Sequence, residues 1–241
     1  MILRSLLACT AAIVAVSAIA TESPKHVPLR VSEPPSVLMA RAASLVSTDW
    51  PRAQELYDAA CHAGAPSACY YAGLASLLGA DGPKDLPRAA RLLQKACDGG
   101  EADACVELAS AYDTGQPGTE ILPRDVARAD LLFAKAARSM ESACGSGDLR
   151  GCGGLAWLHT IGRGVSLDLA RAARLLKQGC EGGDAVMCRR LGNAFARGDG
   201  VEKSSERAID YFQQACSAGV HEGCQDIKRL RWAAITQGRS H

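Results

Sequence analysis

Aromatic residues are scarce in this chain, since Phe, Trp and Tyr together make up 5% of its 241 residues. So small a share argues against a β-sandwich or β-barrel, because aromatic side chains are enriched in strands. A net charge of either sign is also lacking, because the formal charge at pH 7 is +1. The chain therefore has no basic excess to drive binding to nucleic acid or to an anionic membrane surface.

The short motifs that mark common hydrolases are missing as well. The sequence has no S-x-x-K, S-D-N or K-T-G of the serine β-lactamases, no G-x-S-x-G and no phosphate-binding P-loop. Neither H-x-H nor H-E-x-x-H occurs, so a zinc hydrolase would have no visible ligand set. We therefore predict no catalytic residue, no metal site and no cofactor.

The overall composition is that of a folded soluble domain. Hydrophobic residues make up 48% of the chain and charged residues 22%. These shares exclude both an intrinsically disordered chain and a polytopic membrane protein. The length allows one or two compact domains with a sizeable core.

Cysteine, by contrast, is abundant, with 11 in the chain. Such use is unusual in a reducing cytosol unless metals or catalysis explain it. Residues 1–20 carry one Arg, then a long apolar stretch that ends in Ala18-Ile19-Ala20, the pattern of a secretory signal peptide. We predict cleavage between Ala20 and Thr21, although a membrane anchor is the alternative. The mature protein is then periplasmic or secreted.

The segment after the predicted cleavage site differs in composition from the rest. Residues 21–37 hold four prolines and little hydrophobic periodicity, which is typical of a tether. Because Cys9 leaves with the signal peptide, ten cysteines remain in the mature chain.

These ten cysteines fall into a repeating pattern. Every pair reads C-x7-C, and the steps between first cysteines are 36, 47, 36 and 36 residues. The pairs are Cys61 and Cys69, Cys97 and Cys105, Cys144 and Cys152, Cys180 and Cys188, Cys216 and Cys224. A fixed period near 36 indicates a stacked repeat array, which we place at residues 38–236 with a short tail at 237–241.

Each unit has the pattern of two helices. Residues 88–97 carry apolar side chains at helical spacing, and an Asp or Ser precedes each Arg-Ala dipeptide by three residues, where a helix N-cap is expected. A Gly follows each first cysteine by three residues and is placed to end that helix. The second helix then runs from the second cysteine to a further Gly, as at Gly198.

The 47-residue step marks the irregular place in the array. Four extra residues lie in the loop at 116–121, and seven more precede Cys144, so that Ala137 stands where the cysteine is expected. Seven residues are two helical turns, which predicts a longer helix with its cysteine on the same face. Irregular insertions in repeat arrays often line a binding face.

Short-range disulfides are the favoured use of the cysteines. Ten cysteines allow 945 connectivities, which the sequence alone does not choose between. Local pairing is favoured because the two cysteines of each pair flank one short turn between antiparallel helices. Metal binding and a redox role remain as alternatives, but the first favours closer C-x-x-C spacing and the second an exposed C-x-x-C.

The repeat pattern resembles the Sel1-like repeat, and within it a cysteine-rich secreted branch that includes Helicobacter cysteine-rich proteins. The residues that carry the resemblance, beside the cysteine pairs, are Leu191-Gly192, Phe195, Gly198-Asp199-Gly200-Val201, Arg207-Ala208, Tyr211-Phe212 and Ala215-Cys216. It covers residues 38 to 232. The resemblance implies an all-α, right-handed solenoid of stacked antiparallel helix pairs, related to tetratricopeptide arrays, with one disulfide per repeat.

The functional expectation follows from this shape. We expect a non-catalytic, monomeric exported scaffold that binds a protein, a peptide or a cell-wall component through its concave face, without nucleic acid. A β-lactamase is the alternative, because similar cysteine-rich proteins have been labelled so. Of the five histidines, His159 shares a position with Tyr112 and Phe195, which predicts core packing; the others are His26, His62, His221 and His241.

Overall fold

Helices account for all the regular secondary structure in the computed structural model, which describes residues 33–80, 83–115 and 122–238. Within these residues there are eleven helices and no strand. The helices are α1 (Pro35–Leu45), α2 (Trp50–His62), α3 (Pro66–Leu78), α4 (Leu86–Asp98), α5 (Ala102–Thr114), α6 (Val126–Gly145), α7 (Leu149–Ile161), α8 (Leu169–Glu181), α9 (Ala185–Arg197), α10 (Ser205–Ser217) and α11 (His221–Gly238).

Several predictions fall outside the described residues. These are the signal peptide, its cleavage site at Ala20 and Thr21, the tether as far as residue 32, and the inserted loop at 116–121. Helix α1 begins at Pro35, inside the predicted tether, because a proline fits the first helical position, where its missing N–H is not needed. Helix α11 runs to Gly238, two residues past the predicted end of the array.

The helices alternate between two kinds along the chain. We call α2, α4, α6, α8 and α10 the A helices, and α3, α5, α7, α9 and α11 the B helices; one repeat is an A helix with the B helix that follows. Each helix packs chiefly on the helix before it and the helix after it in the chain. This nearest-neighbour packing is the hallmark of a repeat array.

The predicted N-caps begin all five A helices. The side chains of Asp49, Asp85, Asp125, Asp168 and Ser204 each accept a hydrogen bond from the backbone N–H three residues later. That N–H belongs in every case to the arginine of the Arg-Ala dipeptide. The alanine of the same dipeptide is almost completely buried in all five repeats, which lets neighbouring helices approach closely.

Glycine is required where a loop presses against the next helix. Gly200 has φ +71°, and a Cβ there would lie 2.1 Å from the backbone carbonyl carbon of Leu169 at the start of α8. Gly164 makes the same approach to the backbone of Phe133 in α6. Neither position can hold a side chain unless the loop or the helix moves.

Helix α6 is longer than the other A helices, as the cysteine spacing predicts. It has 20 residues, whereas each of the other four has 13. The additional residues extend the C-terminal end, so that Cys144 still reaches the start of α7.

Each repeat contains one disulfide at the turn from its A helix to its B helix. The five bonds join the two cysteines of each C-x7-C pair, with S–S distances between 1.93 and 2.06 Å. The expectation of one disulfide per repeat is therefore confirmed.

Candidate functional site

One cavity of the described residues lies where the array is irregular. It is a cleft of about 710 Å³ between the C-terminal end of α6 and the N-terminal ends of α5, α7 and α9. Its lining includes Met140 from the extension of α6, Gly153 and Gly154 from α7, Trp157 from α7, and Arg190 from α9. We refer to this cavity as the α7 cleft.

Two glycines open the floor of the α7 cleft. In the other B helices the two residues after the cysteine are larger: Tyr70-Tyr71, Val106-Glu107, Arg189-Arg190 and Gln225-Asp226. In α7 they are Gly153 and Gly154, and the buried side chains of Met187 and Met140 lie against them. A Cβ on Gly154 would come within 2.6 Å of the Met140 sulfur. Because methionine is unbranched and flexible, this floor can adapt to what lies on it.

Trp157 forms the wall between the α7 cleft and a second cavity. Its ring packs on Phe133, with ring centroids 6.2 Å apart, while 36% of the residue stays exposed. The second cavity, of about 240 Å³, lies between α7, α8 and α9 and is lined mainly by small or aliphatic side chains such as Ala156, Ala173 and Leu176. Trp157 and Arg190 line both cavities, so the two lie side by side.

One side of the α7 cleft is acidic. Asp103 on α5 is bound by Arg150 on α7, with an N–O distance of 3.0 Å. Glu101 lies beside this pair in the cleft, and Glu107 follows one turn later on α5. Burial, followed by the charge of Asp103, raises the pKa of both glutamates, although Arg150 partly offsets the effect at Glu101.

A tyrosine next to these carboxylates experiences the same negative field. Burial, followed by the charges of Glu107 and Asp103, raises the pKa of Tyr70 to about 12. The ring of Tyr70 packs on Tyr71, which stacks in turn on Tyr57. The rings of Tyr70 and Tyr71 therefore lie on α3 beside the carboxylates of α5, outside the lining of the cleft.

Among the described residues, the α9 side of the α7 cleft carries an unpaired cation. Arg190 is exposed, and its side chain makes no hydrogen bond or ion pair with another of the described residues. Arg197, two helical turns further along α9, borders the second cavity and pairs with Asp199 at 2.6 Å. Asp184 also lines this side of the cleft, where Arg190 supplies the positive charge that no ion pair within the described part of the chain offsets.

The residues considered in the sequence for chemistry lie elsewhere. None of the ten cysteines lines the α7 cleft, and the Cys144–Cys152 bond joins the two helices behind it. His159 is buried, with its Nδ1 3.1 Å from the Ser166 carbonyl oxygen, which confirms its packing role. His62 and His221 are exposed in the turns between paired cysteines.

Arginines of the Arg-Ala dipeptides contact side chains of the preceding repeat. Arg88 forms an ion pair with Asp58 on the preceding A helix, and Arg171 pairs with Glu141 at 2.6 Å. Arg128 lies over the ring of Tyr112, with its guanidinium carbon 4.3 Å from the centroid. These contacts serve the stacking of the array.

The part of the chain that the structure describes holds neither a metal-binding group of side chains nor a membrane-spanning helix. No group of three or more His, Cys, Asp or Glu side chains there could hold a metal ion. No helix there is long and apolar enough to cross a membrane.

Sequence reasoning missed the residues that make the α7 cleft. The glycine pair after Cys152 was visible as a departure from the other repeats, and so was the single Trp157 in its column. Their importance depends on the extension of α6, which brings Met140 opposite the glycines.

The repeat units match a known family model. The model of the Sel1 repeat matches residues 66–101, 102–139, 150–184 and 185–220, which together make up more than half of the chain. The chain belongs to the Sel1 repeat family. Residues 140–149, which hold the last part of α6 and the turn to α7, lie between two matched repeats and outside both. The α7 cleft is therefore built partly from residues that the Sel1 repeat pattern does not include.

Solved structures with the same fold include several Sel1 repeat proteins. A Sel1 repeat protein from Oxalobacter formigenes is 20% identical, with a TM-score of 0.57, over 80% of this chain and 74% of that one. An immunity protein from Pseudomonas aeruginosa is 21% identical, with a TM-score of 0.52, over 78% of this chain and 67% of that one. Cysteine-rich protein B of Helicobacter pylori is 26% identical, with a TM-score of 0.39, over 59% of this chain and 94% of that one.

No curated protein sequence matches this chain. Membership of the Sel1 repeat family is consistent with a scaffold for protein–protein interaction, since Sel1 repeat proteins generally bind protein partners. The comparisons bring no support for the β-lactamase alternative.

Proposed function

We propose that this protein is an exported, non-catalytic scaffold that binds an extended segment of a partner protein in the α7 cleft. The observation that carries the proposal is the cleft itself, with a partly exposed Trp157 at the border between two adjacent cavities. Tryptophan and arginine are the residues that most often dominate protein interfaces, and here Trp157 and Arg190 stand side by side.

The size and floor of the site favour a side chain of a protein over a small polar ligand. The second cavity, at about 240 Å³, is large enough for one large apolar side chain. Half of its lining residues are alanines and leucines, and the others are Trp157 and polar or charged residues such as Asn193 and Asp199. The methionines under Gly153 and Gly154 supply an adaptable apolar surface for the neighbouring residues of such a segment.

Export is supported by the disulfides as well as by the predicted signal peptide. Five disulfides in one chain indicate an oxidising compartment, because cytosolic reductants keep thiols reduced. The periplasm and the extracellular space both meet this requirement, and we propose that the partner is met there.

Peptide selection tests the binding proposal. A displayed library of random twelve-residue peptides is selected on the purified, disulfide-bonded protein, and the affinities of the recovered peptides are measured by fluorescence anisotropy. We expect Trp157→Ala to weaken binding about tenfold or more, as removal of an interface tryptophan does. Trp232→Ala, which changes an exposed tryptophan on α11 outside both cavities, should change the affinity less than about twofold.

Folding is checked by thermal unfolding, because Trp157 also packs on Phe133. A second measurement is the emission of Trp157 in a variant whose other two tryptophans, Trp50 and Trp232, are replaced by phenylalanine. This emission should shift when a selected peptide covers the ring. If no recovered peptide depends on Trp157 by either measurement, the α7 cleft is not the binding site.

A further inference from the structure

We infer that the segment bound in the α7 cleft carries a lysine or arginine that lies against α5, about five or six residues from a large apolar side chain that fills the second cavity. The inference rests on the proposed function and adds the charge and the direction of the partner. It is argued from the unequal distribution of charged groups around the cleft.

The carboxylates on α5 outnumber the cations that face them. Glu101 and Asp103 line the cleft, and Glu107 lies one turn after Asp103 on α5. Arg150 is the cation that reaches Glu101 and Asp103, and it donates a hydrogen bond to Asp103. Among the described residues, no side chain or backbone N–H donates a hydrogen bond to the carboxylate of Glu101 or of Glu107.

Glu101 occupies a position at which other repeats place a helix cap. The corresponding residues before α7 and α9 are Asp148 and Asp184, whose carboxylates accept hydrogen bonds from the first turn of their own helix. Glu101 stands at the same place before α5, but its side chain makes no such cap. Its carboxylate, half-buried and directed to the cleft lining instead, is available to a cation from outside.

Both glutamates are held in an environment that favours their neutral form, as their raised pKa shows. A lysine or arginine of the partner would supply the missing positive charge beside Glu101. An interface of this kind is favourable because opposite charges meet in a partly desolvated place.

The other end of the cleft rejects a basic residue. Arg190, which borders both cavities, makes no ion pair with another of the described residues, so a second cation beside it would be repelled. The basic residue and the apolar residue of the partner are thus separated by the distance from α5 to α9. Two helix-to-helix spacings are about 16–20 Å, which an extended chain at about 3.3 Å per residue crosses in five or six residues.

The test uses the twelve-residue peptides selected on the disulfide-bonded protein. We expect lysine or arginine to be enriched, relative to the starting library, five or six residues from a large apolar residue. The double substitution Glu101→Gln with Glu107→Gln should weaken the binding of these peptides about tenfold. The control pair Glu202→Gln with Glu206→Gln removes two exposed carboxylates of the last repeat outside both cavities, so it alters the net charge equally and should change binding less than about twofold.

The variant in α5 is expected to fold, because it replaces two half-buried carboxylates with neutral side chains of the same shape, and thermal unfolding checks this. Peptides that require Trp157 but show no basic enrichment, or that bind the α5 variant as tightly as the control, overturn this inference and leave the proposed function standing. Absence of any peptide that requires Trp157 overturns the proposed function, and the inference with it.

Discussion

Three glycines of this chain differ in their backbone conformation and in the space around them. Gly200 combines φ +71° with backbone atoms of α8 about 2 Å from where a Cβ would be. Gly183 has φ +95° but no atom within 4 Å of that place, and Gly145, at the end of α6, has neither constraint. From Gly145 to Gly183 the left-handed conformation is added, and from Gly183 to Gly200 the steric contact is added.

Alanine substitutions along this series should destabilise the protein in a fixed order. Gly200→Ala should lose more than about 2 kcal/mol, because the loop or α8 must move as well as adopt a strained conformation. Gly183→Ala should lose about 1 kcal/mol from the left-handed conformation alone. Gly145→Ala should lose nothing or gain a few tenths, since alanine favours a helix. Urea unfolding measures the three values, and equal losses at Gly200 and Gly183 would contradict the steric contribution.

Glu101 and Trp157 show a different lesson at the residue scale. Glu101 stands where Asp148 and Asp184 cap their helices but makes no cap itself. Trp157 stands where α3 has the half-buried Leu74. Both side chains line the α7 cleft, and the Trp157 ring also packs on Phe133. A departure from the repeat consensus therefore marks the site more clearly than the consensus does.

At the scale of the helices, the small hydrophobic core of each helix pair is supplemented by a disulfide. Alanine and cysteine dominate the buried positions of the A and B helices, so each pair of helices removes only a modest apolar area from water. A disulfide at each A-to-B turn constrains the unfolded chain at that point. The repeat should depend on this bond more than a helix pair with a larger core would.

Removing one disulfide tests that dependence. We expect Cys97→Ala with Cys105→Ala to lower the free energy of unfolding by about 2–3 kcal/mol, the value for closing so short a loop. Urea unfolding of the oxidised variant measures it, with a thiol assay to show that the other eight cysteines remain paired. A loss below about 1 kcal/mol would mean that helix packing alone sustains the repeat.

Helix α6 creates the site by exceeding the length of its counterparts. Its 20 residues, against 13, carry Met140 beyond the end of a regular A helix to the glycines of α7. The number added, seven, keeps Cys144 on the helix face that meets Cys152, so the disulfide pattern survives the insertion. The array gains a cleft without losing the covalent link of that repeat.

At the scale of the whole molecule, the proposed export has a consequence for the covalent state of the protein. We expect the protein isolated from the periplasm or the medium to begin at Thr21 and to contain ten cysteines, all in disulfides. Intact mass before and after reduction and alkylation checks both points, since reduction of each disulfide raises the mass of the protein by two hydrogen atoms. A protein that retains Met1, or that reacts with an alkylating agent before reduction, would contradict the proposed export or the pairing.

The sequence by itself determined the repeat, the helix ends and the family resemblance. These follow from local signals that recur five times: Asp or Ser at the N-caps, glycine after the turns, and cysteines eight positions apart. The longer α6 was also predictable, because a two-turn insertion leaves a helix in phase with its neighbours. Such features depend on residues close together in the chain.

Only the tertiary structure decided where the binding site lies. The α7 cleft needs Met140, Gly154, Trp157, Glu101 and Arg190 at one place, and they come from four helices. In the sequence these five residues stand at different positions of their repeats and form no motif. The physical reason is that a cavity depends on which side chains are missing between neighbouring helices, and that is fixed by packing across repeats.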